Sequence, residues 1–294
     1  MPHFFLVHFS KSTRRALLPC RALALFVLLP FSLHGAPTQP QKIPSPLTPD
    51  EQASITTYDP LRNIPYKAGL KLTYSVGWGW IPVGTAVLSV QEEFLENNLP
   101  SLRFTMSVQT NSFADTFYEV RNEASSWTDP SLGKTLQYQS IQHEGKRHRE
   151  YRIDFDLENQ TATRVDLLEG TSREPVSIHP GTLDPVSLTF LLGTLPLSPT
   201  DQITIPTTNG KELFLTNVKI VETVKRRFKF SKDKQNALLL DPDIKDLGGV
   251  FKKKEDSKVT IWLATSFPHI PYRIESEVAV GSFWVELVQI EGLE

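Results

Sequence analysis

From Leu70 to Trp80 the chain alternates large apolar residues (Leu70, Leu72, Tyr74, Val76, Trp78, Trp80) with small or polar ones (Lys71, Thr73, Ser75, Gly77, Gly79). A period of two sends successive side chains to opposite faces, so the stretch predicts a strand with one apolar face. Ile81-Pro82-Val83-Gly84 interrupts the alternation and Thr85 to Phe94 resumes it, which predicts a hairpin. Leu102, Phe104, Met106 and Val108 continue the pattern. Tyr138 to His143 and Tyr151 to Leu157 flank Glu144-Gly145-Lys146, a turn between two strands, and Asn159-Gln160 turns the chain again before Thr161 to Leu168. Further alternating runs cover 202–206, 212–224, 227–230, 237–240, 259–264, 272–280 and 283–290. About a dozen strands at roughly ten-residue spacing predict an all-β fold, a single antiparallel β-barrel or strongly bent β-sandwich.

One segment has a different period. In Thr182-Leu183-Asp184-Pro185-Val186-Ser187-Leu188-Thr189-Phe190-Leu191-Leu192, Thr182 or Asp184 can cap a helix and Pro185 suits its first turn. Leu188, Leu191 and Leu192 share one face before Gly193 ends it, so a short helix is expected near 183–192, packed on the sheet or plugging one end. No repeat of fixed period appears, which argues against a solenoid or propeller.

The first residues read as a leader. Lys11, Arg14, Arg15 and Arg21 precede an apolar run from Ala22 to Leu33 and then the small residues Gly35 and Ala36, the order of a signal peptide over 1–36. The run is shorter than the roughly 20 residues a spanning helix needs, so no transmembrane span is expected. Leu17-Leu18-Pro19-Cys20 precedes the apolar run instead of ending it, which speaks against lipid attachment, and removal is expected between Leu33 and Gln39. Five prolines between Pro37 and Pro49 predict a Pro-rich, extended linker over 37–57, leaving 58–294 as a single β domain. Without the leader the chain has no cysteine, hence no disulfide, thiol nucleophile or cysteine-bound metal. The leader holds four of the 31 basic residues and none of the 33 acids, so the remainder carries a formal charge of −6. That mild acidity argues against nucleic acid as a partner, and the leader places the protein in the periplasm or cell envelope.

The order of elements resembles the bacterial exported family known as domain of unknown function 3108. The resemblance runs from about Ile64 and lies in Gly69-Leu70-Lys71-Leu72-Thr73-Tyr74-Ser75-Val76 with Trp78, Ile81 and Gly84-Thr85-Ala86. It continues in Leu183-Asp184-Pro185-Val186-Ser187 and in Val259-Thr260-Ile261-Trp262-Leu263, followed by Pro271 and Gly281-Ser282. It implies an all-β, barrel-like envelope protein with no assigned activity. Members of that family often carry an arginine where this chain has Gly193 and an aspartate where it has Ser266, so a polar site built on that pair is not expected here.

The remaining side chains offer little chemistry. His143, His148 and Asp154 surround a hairpin bearing Lys146, Arg147 and Arg149, whose charge would repel a divalent ion. Asp184, Ser187 and His179 are triad residue types, yet Ser187 lacks the Gly-x-Ser-x-Gly elbow and capping accounts for Asp184. Asp154 and Asp156 sit on one strand two positions apart and form no catalytic pair by themselves. Asp241, Asp243 and Asp246 lack the EF-hand rhythm and suggest a Pro-containing turn. No catalytic residue, metal ligand or cofactor site is therefore assigned. Three basic clusters, 146–149, 225–234 and 252–254, read as charged edges, with anionic lipid or acidic glycan as the alternative. Trp78, Trp80, Trp262 and Trp284 are the candidate binding residues, as aromatics that could line a pocket. The leading expectation is non-enzymatic binding of a lipid, glycan or envelope protein. A hydrolase of envelope glycans or lipids and a structural interaction module are the competing readings.

Overall fold

The computed structural model describes residues 47–58, 64–95, 99–243, 258–278 and 281–293; the leader, Asp246 and the basic cluster at 252–254 lie outside them. Among the described residues, fifteen strands form one antiparallel sheet: β1 (Lys71–Trp78), β2 (Ile81–Leu95), β3 (Leu99–Thr110), β4 (Val120–Thr128), β5 (Thr135–Glu144), β6 (Arg147–Asp156), β7 (Thr161–Asp166), β8 (Thr171–Ser172), β9 (Val176–Ser177), β10 (Gln202–Thr208), β11 (Leu213–Arg227), β12 (Lys234–Asp243), β13 (Lys258–Ala264), β14 (Pro271–Val278) and β15 (Gly281–Glu291). Three helices among the described residues accompany them: α1 (Pro49–Ser54), α2 (Ser112–Asp115) and α3 (Pro185–Leu192).

The sheet runs β10 to β15, then β1 to β8, with β9 also paired to β7. The link between the two halves is the ladder of β1 on β15, which sets Lys71 against Glu291 and Trp78 against Phe283. Neighbours in the chain are thus neighbours in the sheet, as in an up-and-down barrel, and among the described residues the ladder is interrupted between β7–β9 and β10. The 176–193 segment spans that interruption: Leu183 makes a parallel bridge with Thr207 of β10, and α3 follows directly. Helix α3 packs on β3, β4 and β10, buries Val186, Phe190 and Leu191, and places Phe190 4.3 Å from Phe104 and 5.1 Å from Tyr66 between ring centroids. The helix fills one end of the sheet's concave face.

Alternation explains most strands. In β1, Leu72, Tyr74 and Val76 are buried while Lys71 is exposed. Gly77 is small for a local reason: an added Cβ would lie 2.0 Å from the Trp284 ring, which covers the glycine across the β1–β15 ladder. Three local differences from the expected pattern have physical causes. Asp241-Pro242-Asp243 continues β12 rather than turning, because β13 pairs only with 237–240 and Pro242 has no ladder partner to serve on that side. Strand β4 breaks the hydrophobic pattern, since its buried positions include Asn122, Ser125, Ser126 and Thr128. Within the expected linker, Pro49 stands at the start of α1, capped by Thr48 and Glu51, and Thr56 exchanges hydrogen bonds with Thr204 of β10 at 2.9 and 2.8 Å.

Candidate functional site

The site grows from the anchoring of α3. Asp184 is its N-cap: Oδ1 accepts from the backbone N–H groups of Val186 and Ser187 at 2.8 and 3.1 Å. Its other oxygen accepts from Ser126 of β4 at 2.5 Å, Thr135 of β5 at 3.0 Å and Ser187 at 2.6 Å. All four side chains are buried. Burial pushes the Asp184 carboxyl upward, and the hydroxyl and backbone donors pull it back. The cluster thus fixes the helix to two strands. Ser187 spends its hydroxyl on the cap, and the His179 ring meets the carbonyl of Pro180 at 2.8 Å instead of joining them.

Beyond the helix, Gly193 accepts from His269 N–H at 2.8 Å, and Tyr66 packs so close that a Cβ on Gly193 would fall 1.9 Å from its hydroxyl. The space that a longer side chain would need at this position is taken by Tyr66. The chain then leaves α3 through Leu195-Pro196-Leu197, and a cavity of about 520 Å³ opens beside it. Leu191, Leu195, Pro196, Leu197 and Ile203 supply apolar walls, and Thr57, Tyr58, Ser131, Asp201 and Gln202 supply polar ones. Tyr58 carries a buried hydroxyl with no hydrogen-bond partner among the described residues, and burial, then the charge of Asp129, pushes its pKa up to about 12. A mostly apolar hollow with a few polar groups is the ordinary form of a small-molecule site.

The four candidate tryptophans do not line this cavity. Trp78 stacks on Phe283 with ring centroids 6.1 Å apart. Trp80, 88% exposed, stands in the β1–β2 turn. Trp262 and Trp284 lie on the opposite face from Ile261 and Val285, under cations: Arg226 over Trp262 at 4.8 Å, Lys229 and Arg273 over Trp284 at 3.8 and 5.3 Å. Trp284 also donates to the carbonyl of Gly79 at 2.7 Å. Between the two rings, Arg273 pairs with the buried Glu286 at 2.5 Å, and Glu286 in turn accepts from Lys229 N–H at 3.0 Å. The structure brings Trp262 and Trp284 onto one face and separates Trp78 and Trp80 from them. The cavity residues escaped sequence reasoning, although the Leu191–Leu197 run, apolar past the helix stop and without strand alternation, carried a signal.

The carboxylates of β6 are engaged locally, Asp154 with Arg152 at 2.8 Å and Gln137 at 3.0 Å, Asp156 with the 158–159 turn. Among the described residues no three His, Asp or Glu side chains gather to hold a metal ion, and no helix is long and apolar enough to cross a membrane.

The profile of a family described as "Protein of unknown function (DUF3108)" matches residues 73–288. No curated protein matches the chain. Among solved structures, a beta-barrel-like protein of domain of unknown function DUF1849 from Brucella abortus is similar, with a TM-score of 0.48 and 12% identity over 77% of this chain and 98% of that one.

Proposed function

The chain belongs to the DUF3108 family of proteins of unknown function, and on that premise we propose that it is a non-enzymatic binding protein of the bacterial cell envelope, exported by its leader, that holds the apolar part of a small amphipathic ligand beside α3. The observation that carries this reading is the cavity of about 520 Å³, whose volume falls within the roughly 300–1,000 Å³ common for small-molecule sites. Its leucine-rich walls favour an acyl chain over a glycan, because sugar hydroxyls would be desolvated there with few partners. Thr57, Ser131 and Gln202 on its wall can meet a polar end of the ligand.

Native mass spectrometry of protein purified gently from its host tests the proposal. The expected result is a stoichiometric lipid-like adduct that disappears in Leu197→Trp, where an indole would fill the hollow, while the circular dichroism spectrum stays unchanged. Protein that emerges empty and gains no mass from added fatty acids would overturn it. Recovery with a tightly associated protein and no small molecule would favour an interaction module.

A further inference from the structure

The end of the sheet away from α3 gathers charge. Strand direction alternates around the meander, so the β5–β6, β7–β8 and β10–β11 turns share one end, and the cavity, with Ser131 and Gln202, lies at the other. The ladders set Gln142 opposite Arg149, Ser140 opposite Tyr151, and Ile153 opposite Arg164. Gln142, Ser140, Tyr151 and Ile153 are all buried, so Arg149 and Arg164 share the inner face with them. The Arg164 guanidinium lies over the Tyr151 ring at 3.3 Å and donates to the carbonyl of Asn209 at 3.2 Å.

The β10–β11 turn closes over this pair. Asn209 Oδ1 accepts from the backbone N–H groups of Lys211 and Glu212 at 2.8 and 3.1 Å, which fixes the turn. Gly210, at φ +71°, leaves no room for a side chain: a Cβ would come within 2.9 Å of both Arg164 and Ile153. From the other side, Arg173 joins through its N–H to the Arg164 carbonyl at 2.9 Å. Arg149 on β6, Arg164 on β7, Arg173 just past β8 and Lys211 in the β10–β11 turn therefore converge. No carboxylate among the described residues pairs with Arg164, Arg173 or Lys211. Burial and the surrounding arginines press the Lys211 ammonium down to about 8 against the opposing pull of Glu212, and the buried Glu144 feels the charge of Arg149.

Arg164 and Lys211, half-buried and without a carboxylate partner among the described residues, are costly to hold, and an anion that binds them stabilises the fold. We propose that this mouth is an anion site that takes a phosphoryl group, with Arg164 and Lys211 as its principal contacts and Arg149 and Arg173 flanking them. A carboxylate would neutralise one charge of several, whereas a phosphoryl group carries close to two and three acceptor oxygens, a match for guanidinium forks. Free phosphate and a phospholipid headgroup present the same chemistry.

The test uses the full chain at neutral pH. Isothermal titration with inorganic phosphate is compared with chloride at matched ionic strength, and co-sedimentation with phosphatidylglycerol vesicles is compared with phosphatidylcholine. Specific phosphate binding, weakened about tenfold or more in Lys211→Gln and unchanged in the exposed control Lys225→Gln, is expected. Arg164→Gln should behave like Lys211→Gln if it folds, and Lys211→Gln alone decides the matter if it does not. Binding to phosphatidylglycerol vesicles that Lys211→Gln abolishes identifies a lipid headgroup as the source; binding of free phosphate without vesicle binding identifies a soluble one. Phosphate and vesicles that bind no better than their controls, or binding that survives Lys211→Gln, would overturn the proposal. Neither outcome depends on whether the cavity beside α3 is filled.

Discussion

Replacing Asp184 by alanine removes the cap of α3 and the acceptor for three hydroxyls in one step. Loss of the cap costs about 1 kcal/mol. The hydroxyls respond unequally. Thr135 and Ser187 lie 3.0 Å apart and can bond each other, and Ser187 also donates to the Asp184 carbonyl at 3.0 Å, which the substitution keeps. Ser126 has no other side-chain partner among the described residues and would be left as a buried unsatisfied group, at roughly 1–3 kcal/mol. With the small void left by the carboxylate, Asp184→Ala should cost about 3–4 kcal/mol, a large share of the roughly 5–15 kcal/mol that holds a domain folded. Asp184→Asn should cost only about 1 kcal/mol, because its carbonyl still accepts from Val186 and Ser187 N–H and the hydroxyls can rotate to accept from the amide. Urea unfolding at pH 7 measures both. An alanine variant within about 1 kcal/mol of wild type, or an asparagine variant as damaging as the alanine, would show that this cluster does not anchor the helix.

Gly77→Ala should destabilise by about 2–3 kcal/mol, because its Cβ would sit 2.0 Å from the Trp284 ring; a thermal melt in which Trp284→Leu fails to relieve the damage would refute that cause. Lys211, held down at about 8 by burial and by Arg164, Arg173 and Arg149 against Glu212, binds its proton less tightly in the folded chain than in the unfolded one, whose value is near 10.5. The unfolded state therefore holds more protons between those values, and in phosphate-free buffer stability should rise as pH climbs from about 8 to 10.5, by about 1–2 kcal/mol after discounting for solvent screening. Lys211→Met should erase that rise, and a pH profile of melting temperatures unchanged by the substitution would count against the charge cluster.

What the sequence makes legible follows from which contacts are local. The β1–β2 hairpin, the β5–β6 hairpin and α3 rest on alternation, turn residues and a cap within a few positions, and all three are readable from the order of residues alone. Pro49 shows the limit of composition: among five prolines it reads as extended chain, whereas Thr48 and Glu51 make it the first residue of a helix. The cavity is less accessible still, because Tyr58, Ser131, Leu195 and Ile203 meet only through the long-range arrangement of the sheet. The tryptophans depend on the same long-range arrangement: their size makes them candidates for a pocket, and the fold sets Trp262 and Trp284 under Arg226, Lys229 and Arg273 rather than beside the α3 cavity.

Strand β4 carries the deeper lesson. Val120-Arg121-Asn122-Glu123-Ala124-Ser125-Ser126-Trp127-Thr128 has no hydrophobic alternation, yet it is as fully paired as its neighbours, to β3 on one side and β5 on the other. A pattern of apolar inner positions signals a strand only where the inside of the sheet is apolar. Along β4 it is not: Asn122 donates to the buried Glu144 at 3.0 Å towards the charged end, and Ser126 holds Asp184 towards the other. The residues that hid this strand from its hydrophobic pattern are therefore the ones that equip the interior, at one end to fix a helix and at the other to neighbour a mouth rich in cations. Polar side chains survive inside a sheet only when each finds a partner. Among the described residues that condition fails for a few groups, and two of them, the Tyr58 hydroxyl and the Gln142 amide oxygen, lie at opposite ends of this interior.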